Sequence, residues 1–316
     1  MLSRILLSLL LLPYLVVVAQ IEYRPATSET VLDSWRWTSL TDLENEQVRC
    51  MTQTSQGKML FGARRGIINY DGYAWSYLDK PDSLRRHDLT CLLPLPDDRL
   101  LAGTNRGVFQ VDSTGWYPLV PELSQHLLEI RDMVHVPNYG IAVSCPWGLL
   151  LLNEREIVVH VSESTARNLQ IGDGRPVSVR VLPREATLLD AAGESVVSGN
   201  DLLANDDGSI YLALGHPVAN GKILHLTPDP TSQHSAFTLG AIHGPKTGLF
   251  VRSNVNMGRG PNGELWAVSN GYEYGLYRFD GSTWREEKLS ERFGGVDSQS
   301  HLLVCSDGSV WVDGHG

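Results

Sequence analysis

A repeat constrains this chain more than any other feature. Two ten-residue stretches, GIINYDGYAW (Gly66–Trp75) and GLYRFDGSTW (Gly275–Trp284), share a leading Gly, an aromatic fifth residue, Asp-Gly at the sixth and seventh positions, and a closing Trp. A third copy is GVFQVDSTGW (Gly107–Trp116), and GLLLLNEREI (Gly148–Ile157) is a degenerate fourth. Gly66, Gly107 and Gly148 follow one another at intervals of 41 residues. A fixed period of this length marks one supersecondary unit stacked on copies of itself, because a single unit cannot bury its own apolar faces.

Each unit reads as four short strands. Ahead of the repeated Gly lies a tight turn and an apolar strand, in QGKMLFG (Gln56–Gly62), DDRLLAG (Asp97–Gly103), DDGSIYLA (Asp206–Ala213), NGELWAV (Asn262–Val268) and DGSVWVD (Asp307–Asp313). Asn-Gly and Asp-Gly between apolar runs are hairpin signals, since glycine accepts the positive φ such turns demand. Further strands precede these turns, in QVRCMTQ (Gln47–Gln53), DLTCLLPL (Asp88–Leu95) and HLLVCS (His301–Ser306). No stretch shows convincing helical periodicity. The expectation is an all-β chain, a β-propeller of four-stranded blades, with six or seven blades and the last one incomplete.

Regular blades are expected over about 35–157 and 255–316. From Gly148 to the comparable Gly221 is 73 residues, too long for one unit and short for two. Residues 158–254 are therefore irregular, with Val158–Asn200 read either as an insertion in a blade or as a degenerate extra blade. The last residues, VWVDGHG, stop where other units begin a third strand, and SWRWTSL (Ser34–Leu40) matches the outermost strand. The expectation is that this outer strand ties the ring shut and that the chain is the front part of a longer protein.

Residues 1–19 form a signal peptide: one early Arg, the apolar run ILLSLLLLPYLVVVA (Ile5–Ala19), and small residues before Gln20. The run is short for a spanning helix and contains Pro13, so residues 20–316 are expected to be exported, to a periplasmic or extracellular place. A net charge of −10 argues against nucleic acid as a partner. The four cysteines (Cys50, Cys91, Cys145, Cys305) lack CxxC spacing, and they read as small buried hydrophobes rather than metal ligands or disulfides.

SWRWTSL…QGKMLFGARRGIINYDGYAW and NGELWAVSNGYEYGLYRFDGSTW together resemble the two-component regulator propeller repeat. The resemblance is good over Trp35–Trp116 and Asn262–Trp311 and weak over Val158–Asn220. It implies an extracytoplasmic sensor region, followed in that family by an immunoglobulin-like domain, a membrane helix and a kinase or other output domain. It also implies oligosaccharides among the ligands sensed. None of the output parts lies within these residues, so no enzymatic activity is expected of them.

Motifs for chemistry are absent or explained by turns. GRGPNG (Gly258–Gly263) has a Pro inside it and a strand after it, where a dinucleotide site needs a helix. HExxH, the P-loop and GxSxG do not occur. His216, His225, His234 and His243 stand nine apart among prolines and read as unrelated loop residues. CSDGSVW (Cys305–Trp311) departs from a sialidase Asp-box in its Asp spacing. No cofactor and no metal are expected.

A ligand is expected on one face of the ring, on loops between second and third strands. Those loops carry Arg64, Arg65, Asn105, Arg106, Trp147, Tyr272 and Tyr274, a rim of cations and aromatics suited to a sugar, an anion or a peptide. The function expected is therefore an exported sensory propeller that binds a small molecule, oligosaccharide or peptide, acting through blade packing or a homodimer. A free-standing secreted binding propeller is the second reading. A propeller lyase or glycosidase is the third.

Overall fold

The computed structural model describes residues 40–97, 99–120, 129–146, 148–153, 156–163, 166, 176–183, 186–189, 195–196, 199–216, 219–229, 237–251, 254–259, 263–270, 275–287, 302–304 and 310–312. The signal segment, Ser34–Thr38, His234 and Cys305 lie outside them. So does any strand that SWRWTSL adds.

The described residues form five four-stranded antiparallel blades. Blade one holds β1 (Cys50–Gln53), β2 (Met59–Gly62), β3 (Gly66–Tyr70) and β4 (Trp75–Asp79). Blade two holds β5 (Leu89–Pro94), β6 (Leu100–Thr104), β7 (Gly107–Asp112) and β8 (Gly115–Pro118). Blade three holds β9 (Asp132–Val136), β10 (Gly140–Cys145), β11 (Gly148–Leu152) and β12 (Ile157–Val161), with β13 (Val177–Val181) beside β12. After a two-stranded hairpin, β14 (Leu188–Leu189) and β15 (Ser195–Val196), blade four holds β16 (Gly199–Ala204), β17 (Ile210–His216), β18 (Ala219–Pro228) and β19 (Phe237–His243). Blade five holds β20 (Asn254–Arg259), β21 (Leu265–Asn270), β22 (Gly275–Phe279) and β23 (Trp284–Glu287). A hairpin of β24 (Leu302–Val304) and β25 (Val310–Val312) follows.

The expected count of six or seven blades is thus corrected to five. The long interval after Gly148 holds no extra blade among the described residues. Its residues return as β13, which pairs in parallel with β12 from Ile157↔Val177 to Val161↔Val181, and as the small β14–β15 hairpin. A parallel fifth strand needs a long crossover, which consumes sequence without building a new unit.

The repeated decapeptide is the third strand, a turn, and the start of the fourth. Asp71 Oδ1 accepts the backbone N–H groups of Tyr73 (3.0 Å) and Ala74 (2.9 Å), and Asp280 Oδ1 does the same for Ser282 (3.0 Å) and Thr283 (2.9 Å). The intervening Gly72 and Gly281 lie at φ 98° and 95°, a region open to glycine. In blade two Asp112 caps Thr114 (2.7 Å) and Gly115 (3.1 Å), with the glycine displaced to the end of the turn. These backbone donors hold the carboxyls of Asp71 and Asp280 below the usual carboxylate range. The closing Trp then packs: Trp75 stacks on Tyr70 at 4.3 Å between ring centres, and Trp284 is buried beside Phe279.

Strand alternation sends successive side chains to opposite neighbours. In β11, Leu150 and Leu152 join blade two's Leu101 and Val108, while Leu149 and Leu151 join blade four's Leu212 and Leu224. All five β11 residues are buried, which explains its unbroken apolar run. Similar layers join blades one to two and four to five. Leu303 of β24 packs against the cluster of Met59, Phe61, Ala63 and Ile68 in blade one, so the last hairpin stands next to the first blade.

His225 lies in β18, and His216 and His243 end β17 and β19, which corrects the expectation of loop histidines. The His225 ring stacks on Tyr211 at 4.6 Å, and His243 meets Phe279 edge-on at 4.9 Å. Cys50, Cys91 and Cys145 are buried thiols, and burial pushes the Cys91 thiol pKa well up, away from reactivity. No helix among the described residues is long and apolar enough to cross a membrane.

Candidate functional site

In an antiparallel four-strand meander, the start of the first strand, the 2–3 loop and the end of the fourth strand share one edge. Backbone bonds tie them together. Arg64 N–H donates to Glu46 O (3.4 Å), Lys80 N–H to Arg65 O (3.1 Å), and Asn105 N–H to Asp88 O (3.2 Å). In blade two, Thr104 Oγ1 accepts Arg106 N–H (3.0 Å) and donates to Gly107 O (3.0 Å), which fixes the Asn105–Arg106 loop.

The first strands of all five blades, with Leu303, surround a central cavity of about 790 Å³. One register position recurs around it. Cys50 pairs with Gly62, Cys91 with Gly103, Asp132 with Ser144, Asp201 with Ala213, and Asn256 with Val268. In the first two blades this side chain is an apolar thiol packed toward the next blade. In the third and fourth it is a carboxyl that grips the next blade's first strand. Asp132 Oδ2 accepts Leu202 N–H (2.8 Å), and Asp201 Oδ2 accepts Met257 N–H.

The two carboxyls also lie near enough for the charge of Asp132 to act on Asp201. Burial, then the neighbouring Asp132 charge, raises the Asp201 pKa well above that of an ordinary carboxyl. A raised folded-state pKa gives stability that is present at low pH and lost as pH climbs through that value. Asn256 occupies the equivalent place in blade five, which suggests the substitution to make. Asp201→Asn keeps an oxygen for Met257 and supplies a permanent donor to Asp132. Urea unfolding should find wild type losing stability relative to the variant as pH rises from 4, so that the variant's relative stability is greater at pH 9 than at pH 4. The same difference between the two proteins at pH 4 and pH 9 would refute the raised Asp201 pKa.

Chemically, the cavity wall is amphoteric. It carries Arg49, Arg131 and Arg259 among Asp88, Glu129, Asp132 and Asp201. Arg131 is held by Asn200 and lies 3.6 Å from Glu129. None of the described lining residues is aromatic.

The sequence-derived rim is reached in part. Asn105 lines the central cavity, and Arg64 and Arg65 line a second recess at the edge of blade one. Arg106 lies close enough to His87 to lower the imidazole pKa, after burial. Trp147, Tyr272 and Tyr274 fall outside the described residues, so the cationic half of the rim is placed and the aromatic half is not. Sequence reading missed Asp132, Asp201 and Lys80. A signal for Asp132 was present, since Cys50, Cys91 and Asp132 are themselves spaced by 41. Lys80 and Asp201 carry no such signal.

The chain matches no family model and no curated protein. Solved structures share its fold. The extracellular domain of a B. thetaiotaomicron protein described as a hybrid two-component system superposes with a TM-score of 0.54 at 14% identity, covering 87% of this chain and 32% of that one. A second such domain from the same organism gives 0.47 at 15%, covering 84% and 36%. A Bacteroides thetaiotaomicron protein of unknown function gives 0.52 at 10%, covering 84% and 66%. This chain therefore spans about a third of the length of the two-component structures it resembles. At these identities the likeness establishes the β-propeller fold.

Proposed function

We propose that this chain is the exported sensory β-propeller of a two-component-type signalling protein and binds an extracellular or periplasmic ligand at the loop face. The central cavity carries the reading. It joins charged and amide groups from five blades, so a ligand seated there would touch several blades at once and bias how they pack. The repeat motifs and signal-like first residues support export and sensing. In this reading the chain binds its ligand without turning it over, and its output domain would lie beyond Gly316.

The test is a binding screen of neutral and acidic oligosaccharides and short peptides against the purified chain. Asn105→Ala, Arg106→Ala and Trp147→Ala, combined in one variant, should weaken any ligand found by at least tenfold. Unchanged affinity for every ligand found would remove the loop face from the reading.

A further inference from the structure

The recess at the edge of blade one, about 430 Å³, gathers four of this acidic chain's cationic side chains: Arg64, Arg65, Lys80 and Arg85. Two carboxylates, Glu46 and Asp79, share its wall. Asp79 is already committed, since Arg65 Nε and Nη2 donate to it at 2.8 and 3.3 Å while the guanidinium lies 5.5 Å from the Tyr77 ring centre. Arg85 bonds Asp82 at 2.9 Å on the exposed side.

Arg64 and Lys80 are the cations left over. Among the described residues the Arg64 side chain has no hydrogen-bonded or ion-paired partner. Lys80 is only 9% exposed, and its ammonium makes one hydrogen bond, to His87 O at 2.6 Å. An ammonium carries three donors; the Asp88 carboxylate acts on Lys80 from a distance but forms no direct ion pair with it, so the ammonium keeps donors for a further acceptor. Gln47, also on this wall, holds a left-handed backbone at φ 50°, strain of the kind that collects at binding sites.

We propose that this recess is an oxyanion-binding site, which takes the carboxylate, sulfate or phosphate group of an extracellular ligand between the Arg64 guanidinium and the Lys80 ammonium. The Arg64 fork supplies two parallel donors and Lys80 a point charge. Arg65, held by Asp79 and Tyr77, forms a rigid outer wall. The proposal rests on the reading that the loop face binds a ligand, and it names the chemical group recognised there.

The experiment titrates the whole chain by calorimetry with sodium sulfate, sodium phosphate, glucuronate and glucose, at constant ionic strength set with sodium chloride. Saturable binding of at least one oxyanion is expected, with glucose silent. A response to glucuronate alone identifies a sugar acid as the source, and a response to sulfate or phosphate identifies the inorganic group. Arg64→Ala changes an exposed residue and leaves the fold intact, and it should weaken binding at least tenfold. Arg64→Lys should recover part of the loss, and Lys80→Met should abolish binding if it folds. Absence of saturable oxyanion binding, or equal affinity in Arg64→Ala, would overturn the site. A screen ligand that binds wild type and Arg64→Ala alike, without competing with the oxyanions, would leave the loop-face reading standing and sink this one.

Discussion

Gly62→Ala should destabilise the fold by roughly 3 kcal/mol, and adding Cys50→Ala should restore most of that loss. A methyl group on Gly62 would overlap Cys50 Sγ, while its next neighbours, Leu89 Cβ at 3.4 Å and Leu92 Cδ1 at 3.6 Å, are ordinary contacts. The sulfur therefore fills the space that the missing Cβ leaves, and exchanging which strand supplies the volume nearly conserves it. Blade two provides an internal control. A methyl on Gly103 would overlap Cys91 Sγ and also come within 2.8 Å of Ile130 Cγ2, so Cys91→Ala should rescue Gly103→Ala much less completely. Urea unfolding of the four variants and the two doubles reads both coupling energies. Equal rescue in the two blades would mean that Ile130 is no obstacle, and no rescue in either would mean that the sulfur is not.

This pairing also shows how far the sequence could be read. The 41-residue interval between Cys50 and Cys91 was visible, and it is a register position, the thiol over a glycine of the neighbouring strand. The decapeptide was equally legible, because an Asp that caps two backbone N–H groups, a positive-φ Gly and a packing Trp are local demands that leave residues at fixed offsets. The blade count was not legible. A parallel strand such as β13 takes its partner from across a long crossover, and nothing local in VSVRV says it belongs beside IVVHV rather than in a new blade. The cationic rim could be read because 2–3 loops fall at fixed places in each unit. Lys80 could not, since its burial is created by the connection between blades one and two, which no single repeat encodes.

The same crossover sets up an acid-sensitive contact, and acidification from pH 7 toward 4.5 should cost wild type more stability than a His160→Gln variant. His160 is buried in β12, its Nε2 accepts the Phe237 N–H at 3.4 Å from blade four, and Arg180 of β13 faces it in register. Burial first, and then the Arg180 charge, pushes its pKa down to about 4. The unfolded chain returns this imidazole to its ordinary value near 6.5, so between the two the unfolded state binds the extra proton. The stabilising contribution is whole above about pH 6.5 and falls away as pH approaches 4, by about 3 kcal/mol if the full gap is realised. Gln keeps an oxygen, which cannot accept and titrate at once as the imidazole nitrogen does, so it carries no pH dependence of its own. Two other groups of carboxyls bear on the same scan. The turn aspartates, held low by their backbone donors, begin to matter only near and below their unfolded pKa of about 4, and Asp201 acts in the opposite sense at higher pH. The difference between wild type and His160→Gln at pH 5.5 therefore isolates the histidine. Parallel stability curves for the two proteins from pH 7 to 4.5 would show that His160 does not titrate in this contact.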